Sequence, residues 1–212
     1  MNKNWLIGGL VAAVVIGGSI YYSIQVNKDA DEGVVVTDHA MGNLDSEVVL
    51  VEYADYQCPA CAQFNPEVQN TLEEYGDRLR YEYRHLPLIE IHPSTLAAAK
   101  AAEAAGQQGK FFEYSNLLFT KQNEWSKVPN PAPFFTRYAE ELDLDISQFK
   151  RQQRSKILAD KIMTERQEAR DLGLTGTPSF LLNGEVMSMA TFQEFRDQIA
   201  AAVGEDISVT EE

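Results

Sequence analysis

The chain has 212 residues, is 44% hydrophobic and 24% charged, and carries a formal net charge of −14. These proportions suit one folded domain, or one domain with an insertion, and exclude a disordered or low-complexity chain. The acid excess argues against nucleic acid, which wants a basic patch, and the chain has no glycine-rich phosphate loop or nucleotide fingerprint.

In chain order, residues 1–4 carry Lys3 and the amino terminus, and residues 5–26 contain no charged side chain. An apolar run of that length is what a helix needs to cross a bilayer, roughly 20 residues. Trp5, Tyr21 and Tyr22 stand near its ends, as interfacial aromatics do. Residues 1–4 are therefore read as a cytoplasmic end and 5–26 as an uncleaved single-pass transmembrane anchor. The alternative is a signal peptide, but the cleavage position would fall at Ile20-Tyr21-Tyr22, which is bulky. Lys3 and the amino terminus on one side, against Lys28 followed by Asp29, Asp31 and Glu32 on the other, favour an extracytoplasmic location for the rest of the chain. That compartment is oxidising. Gly9, Ala13 and Gly17 have the spacing that packs membrane helices, although such residues are also simply tolerated in lipid.

Residues 27–40 read as a polar, acidic linker with a short edge strand at 34–36. Asn43-Leu44-Asp45-Ser46 is a turn. Residues 48–54 form a nearly continuous Val-rich apolar run, interrupted by Glu52, which predicts a central strand covered on both faces. A helix follows from Cys58 to Tyr75 and stops at Gly76. Pro66 lies inside it and is expected to kink it near Phe64. Residues 79–86 alternate through Tyr81 and Tyr83 as a second strand. From Pro93 the period becomes helical, over 93–105, 110–122, 134–142 and 147–172, the last with Ser147 as its cap. Strand character returns at 178–182, Asn183-Gly184 makes a hairpin turn, and 185–188 is the return strand. Helix 191–203, capped by Thr191, closes the fold, and 205–212 is an acidic tail. The order gives a β-α-β-β-β-α-like α/β unit with a small mixed sheet and a helical block in its crossover, where a long insertion is tolerable.

Cys58 and Cys61 are the only cysteines. Pro59 fits the first helical position, which leaves Cys58 at the N-cap. The free N–H groups of Ala60 and Cys61 and the helix dipole then favour a thiolate, so a depressed Cys58 pKa is predicted. Cys61 lies one turn on, on the same face. An exposed, activated sulfur and a resolving thiol are what dithiol exchange needs. A zinc knuckle would need four ligands, and His39, His85 and His92 have no ligand-like spacing. An inert bridge would close too small a loop to constrain the chain much. No metal and no organic cofactor is expected.

Glu52 sits inside the buried strand, where a carboxylate costs free energy unless paired or protonated. A raised pKa is predicted for it; turning to solvent at the strand end is the alternative. Asp55, on a turn before a helix, reads as a capping residue, and His92 as a packing or capping one.

With these residues in place the chain resembles the DsbA-like thioredoxin-fold thiol:disulfide oxidoreductases, and among them the membrane-anchored, BdbD-like subgroup. The resemblance is carried by Glu52-Tyr-Ala-Asp-Tyr-Gln-Cys-Pro-Ala-Cys61, Arg84-His-Leu-Pro-Leu88, His92-Pro93, Gln108-Gly-Lys-Phe-Phe112, Gly173-Leu-Thr-Gly-Thr-Pro-Ser-Phe180 and Asn183-Gly184, in the family's order. It implies a thioredoxin-like domain formed by residues 41–88 and 174–204, with a helical insertion at 89–173. It also implies a cis Thr177–Pro178 bond across from the sulfurs, with Thr177, Pro178, Pro59 and Ala60 meeting substrate. It gives Glu52 the task of moving the Cys61 proton. Substrates would be unfolded exported proteins, and reoxidation would fall to a membrane-embedded partner of the DsbB or VKOR type. One departure stands out: the dipeptide is Pro59-Ala60, without the histidine that strongly oxidising members often carry. A disulfide reductase or isomerase of the same fold is therefore the first rival, and a non-catalytic peptide-binding module the second.

Overall fold

The computed structural model describes residues 15, 16, 25 and 28–204. The expected anchor at 5–26 and the acidic tail lie, but for three positions, outside the described residues. Among the described residues no helix is long and apolar enough to cross a membrane.

Five strands form one mixed sheet, ordered β1 (His39–Gly42), β3 (Arg80–His85), β2 (Val49–Ala54), β4 (Ser179–Leu182) and β5 (Glu185–Val186). Only β2 and β3 run parallel, joined by helix α1 (Pro59–Tyr75), which Pro66 does not end. The period of two on β2 divides its side chains. Leu50 and Ala54 join Cys61, Tyr81, Tyr83 and Phe180 in the larger core. Tyr53 goes to the other face with Leu86, Leu181, Ala169 and Leu174. Helix α8 (Phe192–Ala202) closes the larger core with Phe195 and Ile199, and Thr191 Oγ1 caps it by accepting the Glu194 N–H.

Three of the described backbone positions demand glycine or asparagine. Asn183 and Gly184 both have positive φ, 52° and 85°, the signature of the two-residue hairpin turn between β4 and β5. At Gly42 φ is 82°, and a Cβ there would lie 2.3 Å from the Leu79 carbonyl oxygen, so β1 and β3 close only over glycine.

The insertion comprises α2 (Thr95–Gly106), α3 (Phe111–Thr120), the single turn α4 (Gln122–Trp125), α5 (Ala132–Glu141), α6 (Ile146–Gln152) and α7 (Lys156–Asp171). The helix expected over 147–172 is two helices. Asp145, not Ser147, caps α6 by accepting the Gln148 N–H at 2.9 Å, and Ser155 caps α7 by accepting the Leu158 N–H at 3.2 Å. A strong capping side chain inside a helical pattern splits it.

The edge strand expected at 34–36 does not form. Val35 and Val36 are exposed, and the Val35 backbone pairs with the Gln107 side chain through two 2.8 Å hydrogen bonds. Valine propensity without a neighbouring strand to pair with makes no strand. The edge strand lies further on, at His39–Gly42. Nor do residues 28–40 behave as a free linker. Ala30 is fully buried, and Asp31 Oδ1 accepts from Ser155 Oγ at 2.6 Å and from the Lys156 N–H at 2.9 Å, at the start of α7.

Candidate active site

The cysteine stretch begins where β2 ends. Pro59 occupies the first position of α1, and Cys58, with extended φ and ψ of −71° and 122°, is its N-cap. Both cysteines are free thiols in this structure. Cys58 is 8% exposed and Cys61 fully buried, so the outer sulfur is the accessible one but is more covered than its N-cap position suggested. Pro59 and Ala60 are exposed. The Thr177–Pro178 peptide bond is cis, and the Cys58 thiol donates to the Thr177 carbonyl oxygen at 3.3 Å. The two segments named from the sequence thus face each other, although 119 residues separate them.

The two sulfurs are driven in opposite directions. The Cys58 thiol is pulled down to about 5, first by a hydrogen bond from the Cys61 thiol; burial opposes this, and the Thr177 side chain and the N–H groups of Cys61 and Ala60 add to it. The helix terminus, which the sequence put first, is thus the smaller cause. Thr177 Oγ1 is itself buried without a hydrogen-bond partner. Burial pushes the Cys61 thiol up, and the neighbouring Cys58 and Glu52 charges push it further. One thiolate and one retained proton are the starting condition for directional exchange.

Glu52 does not reach solvent at the strand end. It is 3% exposed, and burial raises its carboxyl to about 7, against a hydrogen bond from Tyr81 Oη to Oε2 of 2.5 Å that lowers it. The Glu52 charge is felt by the Cys61 thiol, and a carboxyl group poised near neutrality is suited to give or take a proton.

Asp55 does far more than cap. It is 1% exposed. Oδ1 accepts from the Gln57 N–H at 2.7 Å and Thr95 Oγ1 at 2.5 Å, and Oδ2 from the Leu88 N–H and His92 Nδ1, both at 2.8 Å. It ties the turn before Cys58 to the loop after β3 and to the first residue of α2. The insertion grips the same turn. Gln122 Nε2 donates to the carbonyls of Tyr56 at 2.8 Å and Cys58 at 2.9 Å, and Gln57 Nε2 donates to the Ser126 carbonyl at 2.6 Å. The sequence carries no signal for Gln122, since an isolated glutamine announces no partner, and shows Gln57 only as part of the motif before Cys58. Tyr81 was visible only as part of a strand alternation. Among the described residues no three His, Cys, Asp or Glu side chains cluster as a metal site.

A family profile described as Thioredoxin matches residues 34–201. The chain belongs to the thioredoxin family. Within that family its fold is similar to a thioredoxin-like oxidoreductase from Silicibacter pomeroyi, with a TM-score of 0.66 and 27% identity over 83% of this chain and 97% of that one. It is also similar in fold to alpha-DsbA1 of Wolbachia pipientis, with a TM-score of 0.68 and 22% identity over 80% and 92% of the two chains. Oxidised BdbD of Bacillus subtilis gives a TM-score of 0.67 and 20% identity over 82% and 94%. The resemblance to DsbA-like proteins therefore extends from motifs to the whole fold. In sequence the chain is 42% identical over 147 residues to the Na(+)/H(+) antiporter NhaA 3 of Salinispora tropica, which is 69% of this chain but only 22% of that protein. The chain spans about a quarter or less of the curated relatives it matches, 22% and 24% for two of them, so what is shared is a domain and not a whole protein.

Proposed function

We propose that this thioredoxin-family chain is a protein thiol:disulfide oxidoreductase that forms disulfides in exported proteins through Cys58-Pro-Ala-Cys61. The observation that carries this is the split between the sulfurs: Cys58 drawn down to about 5 at a helix start, and Cys61 pushed up behind it. In the oxidised enzyme a substrate thiolate attacks Cys58 Sγ. The bond to Cys61 breaks, its electron pair leaves on Cys61 Sγ, and Glu52 supplies the proton that sulfur takes up. The substrate's second thiolate then attacks its own sulfur in the mixed disulfide, and Cys58 departs as a stabilised thiolate. The substrate leaves with one new disulfide, and the enzyme with a Cys58 thiolate and a Cys61 thiol. Exchange itself uses no metal and no organic cofactor.

Thr177 and Pro178 flank the reacting sulfur, and Pro59 and Ala60 present an open surface beside it. A cavity of about 420 Å³ lined by Phe64, Met189, Ala190, Thr191 and Phe192 begins one helical turn beyond Cys61 and suits an apolar side chain of an unfolded substrate. Reoxidation requires an acceptor for two electrons. The uncharged run at 5–26 supports a membrane anchor with the catalytic domain outside the cytoplasm, and hence a membrane-embedded acceptor of the DsbB or VKOR type. Peptide mapping of the membrane fraction for residues 5–26 checks the anchor.

The deciding experiment mixes oxidised protein with a reduced, unfolded two-thiol substrate. One disulfide should form per chain, and none with Cys58→Ser or Cys61→Ser, neither of which can carry the Cys58–Cys61 bridge that is the oxidant. Untouched substrate thiols would sink the assignment, and full cellular function of the Cys58→Ser, Cys61→Ser double variant would favour a peptide-binding module. A Cys58 pKa near 5 lies between roughly 7 for thioredoxin and roughly 3.5 for DsbA. The reduction potential is therefore expected above thioredoxin's value of roughly −270 mV. A value at or below it would make the protein a reductase.

A further inference from the structure

We propose that Tyr81 is the positioning residue for Glu52: its hydroxyl holds the carboxyl group on the Cys61 side of the sheet and stabilises the carboxylate when the proton moves to sulfur. This rests on the reading of Glu52 as the proton partner of Cys61, and adds the group that makes that acid usable.

The geometry comes from the parallel pairing of β2 and β3. Leu50 is the register partner of Tyr81 and Glu52 that of Tyr83, so Tyr81 and Tyr83 flank the Glu52 side chain on one face. That face is the one Cys61 packs on. Tyr81 is 4% exposed and Glu52 3%, and their oxygens are 2.5 Å apart. Among the described residues no cation takes part: burial raises the Glu52 proton affinity and the tyrosine hydrogen bond lowers it. Tyr83 Oη, by contrast, turns to the Tyr56 hydroxyl and not to Glu52, so proximity alone does not make a tyrosine serve Glu52.

A buried carboxylate with no donor is costly, and the group would then keep its proton. A lysine in Tyr81's place would overcorrect, fixing the carboxylate as a permanent anion. A phenol donates one hydrogen bond and carries no charge. It favours the anion enough to bring the carboxyl into the working range without locking it there. When the Cys58–Cys61 bond breaks, the proton passes from Glu52 to Cys61 Sγ, and Tyr81 keeps its own proton throughout as a donor. In the reverse direction Cys61 returns the proton to a carboxylate that Tyr81 still holds in place.

Tyr81→Phe tests this, since it removes one oxygen and leaves the ring. In reduced protein labelled with ¹³C at glutamate carboxyl groups, the buried carboxyl is expected to titrate near 7 in the wild type and at least one pH unit higher in Tyr81→Phe. This reading does not depend on turnover, so it stands apart from the oxidoreductase assignment. An unchanged titration overturns the proposal. In single-turnover release of a mixed disulfide by Cys61, the variant should be about fivefold slower at pH 7 and equal to wild type near pH 9, the consequence of a tenfold weaker acid. Uniform slowing at all pH values would mark a packing role and also overturns it. Glu52→Gln should remove the pH dependence, and adding Tyr81→Phe to it should change nothing further, whereas independent effects would add.

Discussion

Two glutamates are buried to nearly the same degree, Glu52 at 3% and Glu103 at 1% exposure, and the fold treats them oppositely. Glu52 lies under the active site with one neutral donor, and burial wins: the carboxyl rises to about 7. Glu103 lies where the insertion meets the sheet. Its Oε1 takes His39 Nε2 at 2.9 Å, His85 Nε2 at 2.8 Å and Lys161 Nζ at 2.5 Å, and Lys161 also meets Glu165 at 3.1 Å. Burial opposes ionisation there too, but the histidine hydrogen bonds and charges outweigh it and hold Glu103 well below the usual carboxylate range. Depth alone therefore does not fix the state of a buried acid; its donors do. The acid left short of donors is free to exchange its proton, and the well-supplied one fastens the insertion to the sheet.

The largest way to break this contrast is Glu103→Ala. It leaves two histidines and a lysine facing each other in the core, and should cost about 4 kcal/mol in urea unfolding, the scale for stripping one partner from a buried ion pair. A loss under about 1 kcal/mol would show that the cluster is not structural.

Glu52→Gln should do the reverse, slowing exchange about a hundredfold at pH 7, the low end for a lost general acid–base group, without destabilising the protein. The sign of its pH dependence follows from the raised value. The folded state holds the Glu52 proton more tightly than the unfolded chain, whose ordinary value is 4.5. Stability is therefore complete below pH 4.5 and falls as pH rises to about 7, by about 3 kcal/mol in all. Glu52→Gln lacks that fall. The stability difference between the two proteins should open between those pH values and stay constant above them; a flat difference would mean that Glu52 is ionised throughout.

Glu103 and His39 act with the opposite sign. Burial lowers the His39 imidazole from its ordinary 6.5, and Glu103 is lowered from 4.5. Both contributions are present at neutral pH. The His39 one is lost as pH falls below 6.5 towards its folded value, and the Glu103 one as pH falls below 4.5. Acid unfolding should therefore begin at this cluster, with early loss of amide protection in α2 and α7 read by hydrogen exchange. First loss around β2 and α1 would contradict it.

The smallest effect is Lys161→Met. Glu103 keeps both histidines, so a cost of about 1 kcal/mol is expected. The Lys161 charge holds the His39 imidazole down, so its NMR titration should move upward in the variant. Movement downward would mean that Lys161 is not the charge His39 feels.

Much of this was legible in the residues. The Val-rich run, the proline after Cys58, the Thr191 cap and the Asn183-Gly184 turn placed β2, α1, α8 and the hairpin, because each rests on contacts within a few residues of chain. The single helix expected over 147–172 was wrong because Ser147 and Ser155 look equally good as caps, and Asp145 and Ser155 took the roles. From the sequence alone His39 and His85 suggest nothing beyond zinc ligation. Their true partner, Glu103, is 64 residues from one and 18 from the other.

What the sequence determined alone is the chemistry on offer: two cysteines one turn apart at a helix start, an acid inside an apolar strand, and a Thr-Pro step ahead of a strand. Each follows from local periodicity, capping and the cost of burying charge. What only the tertiary structure decided is how those groups are set. Cys61, more than the helix end, draws down Cys58. Asp55 and Gln122 lock the turn between them. Tyr81, on the neighbouring strand, gives Glu52 its single donor while Glu103 receives three. A pKa is the sum of the nearest donors and charges, and in a folded chain those come from strands and helices far away in sequence.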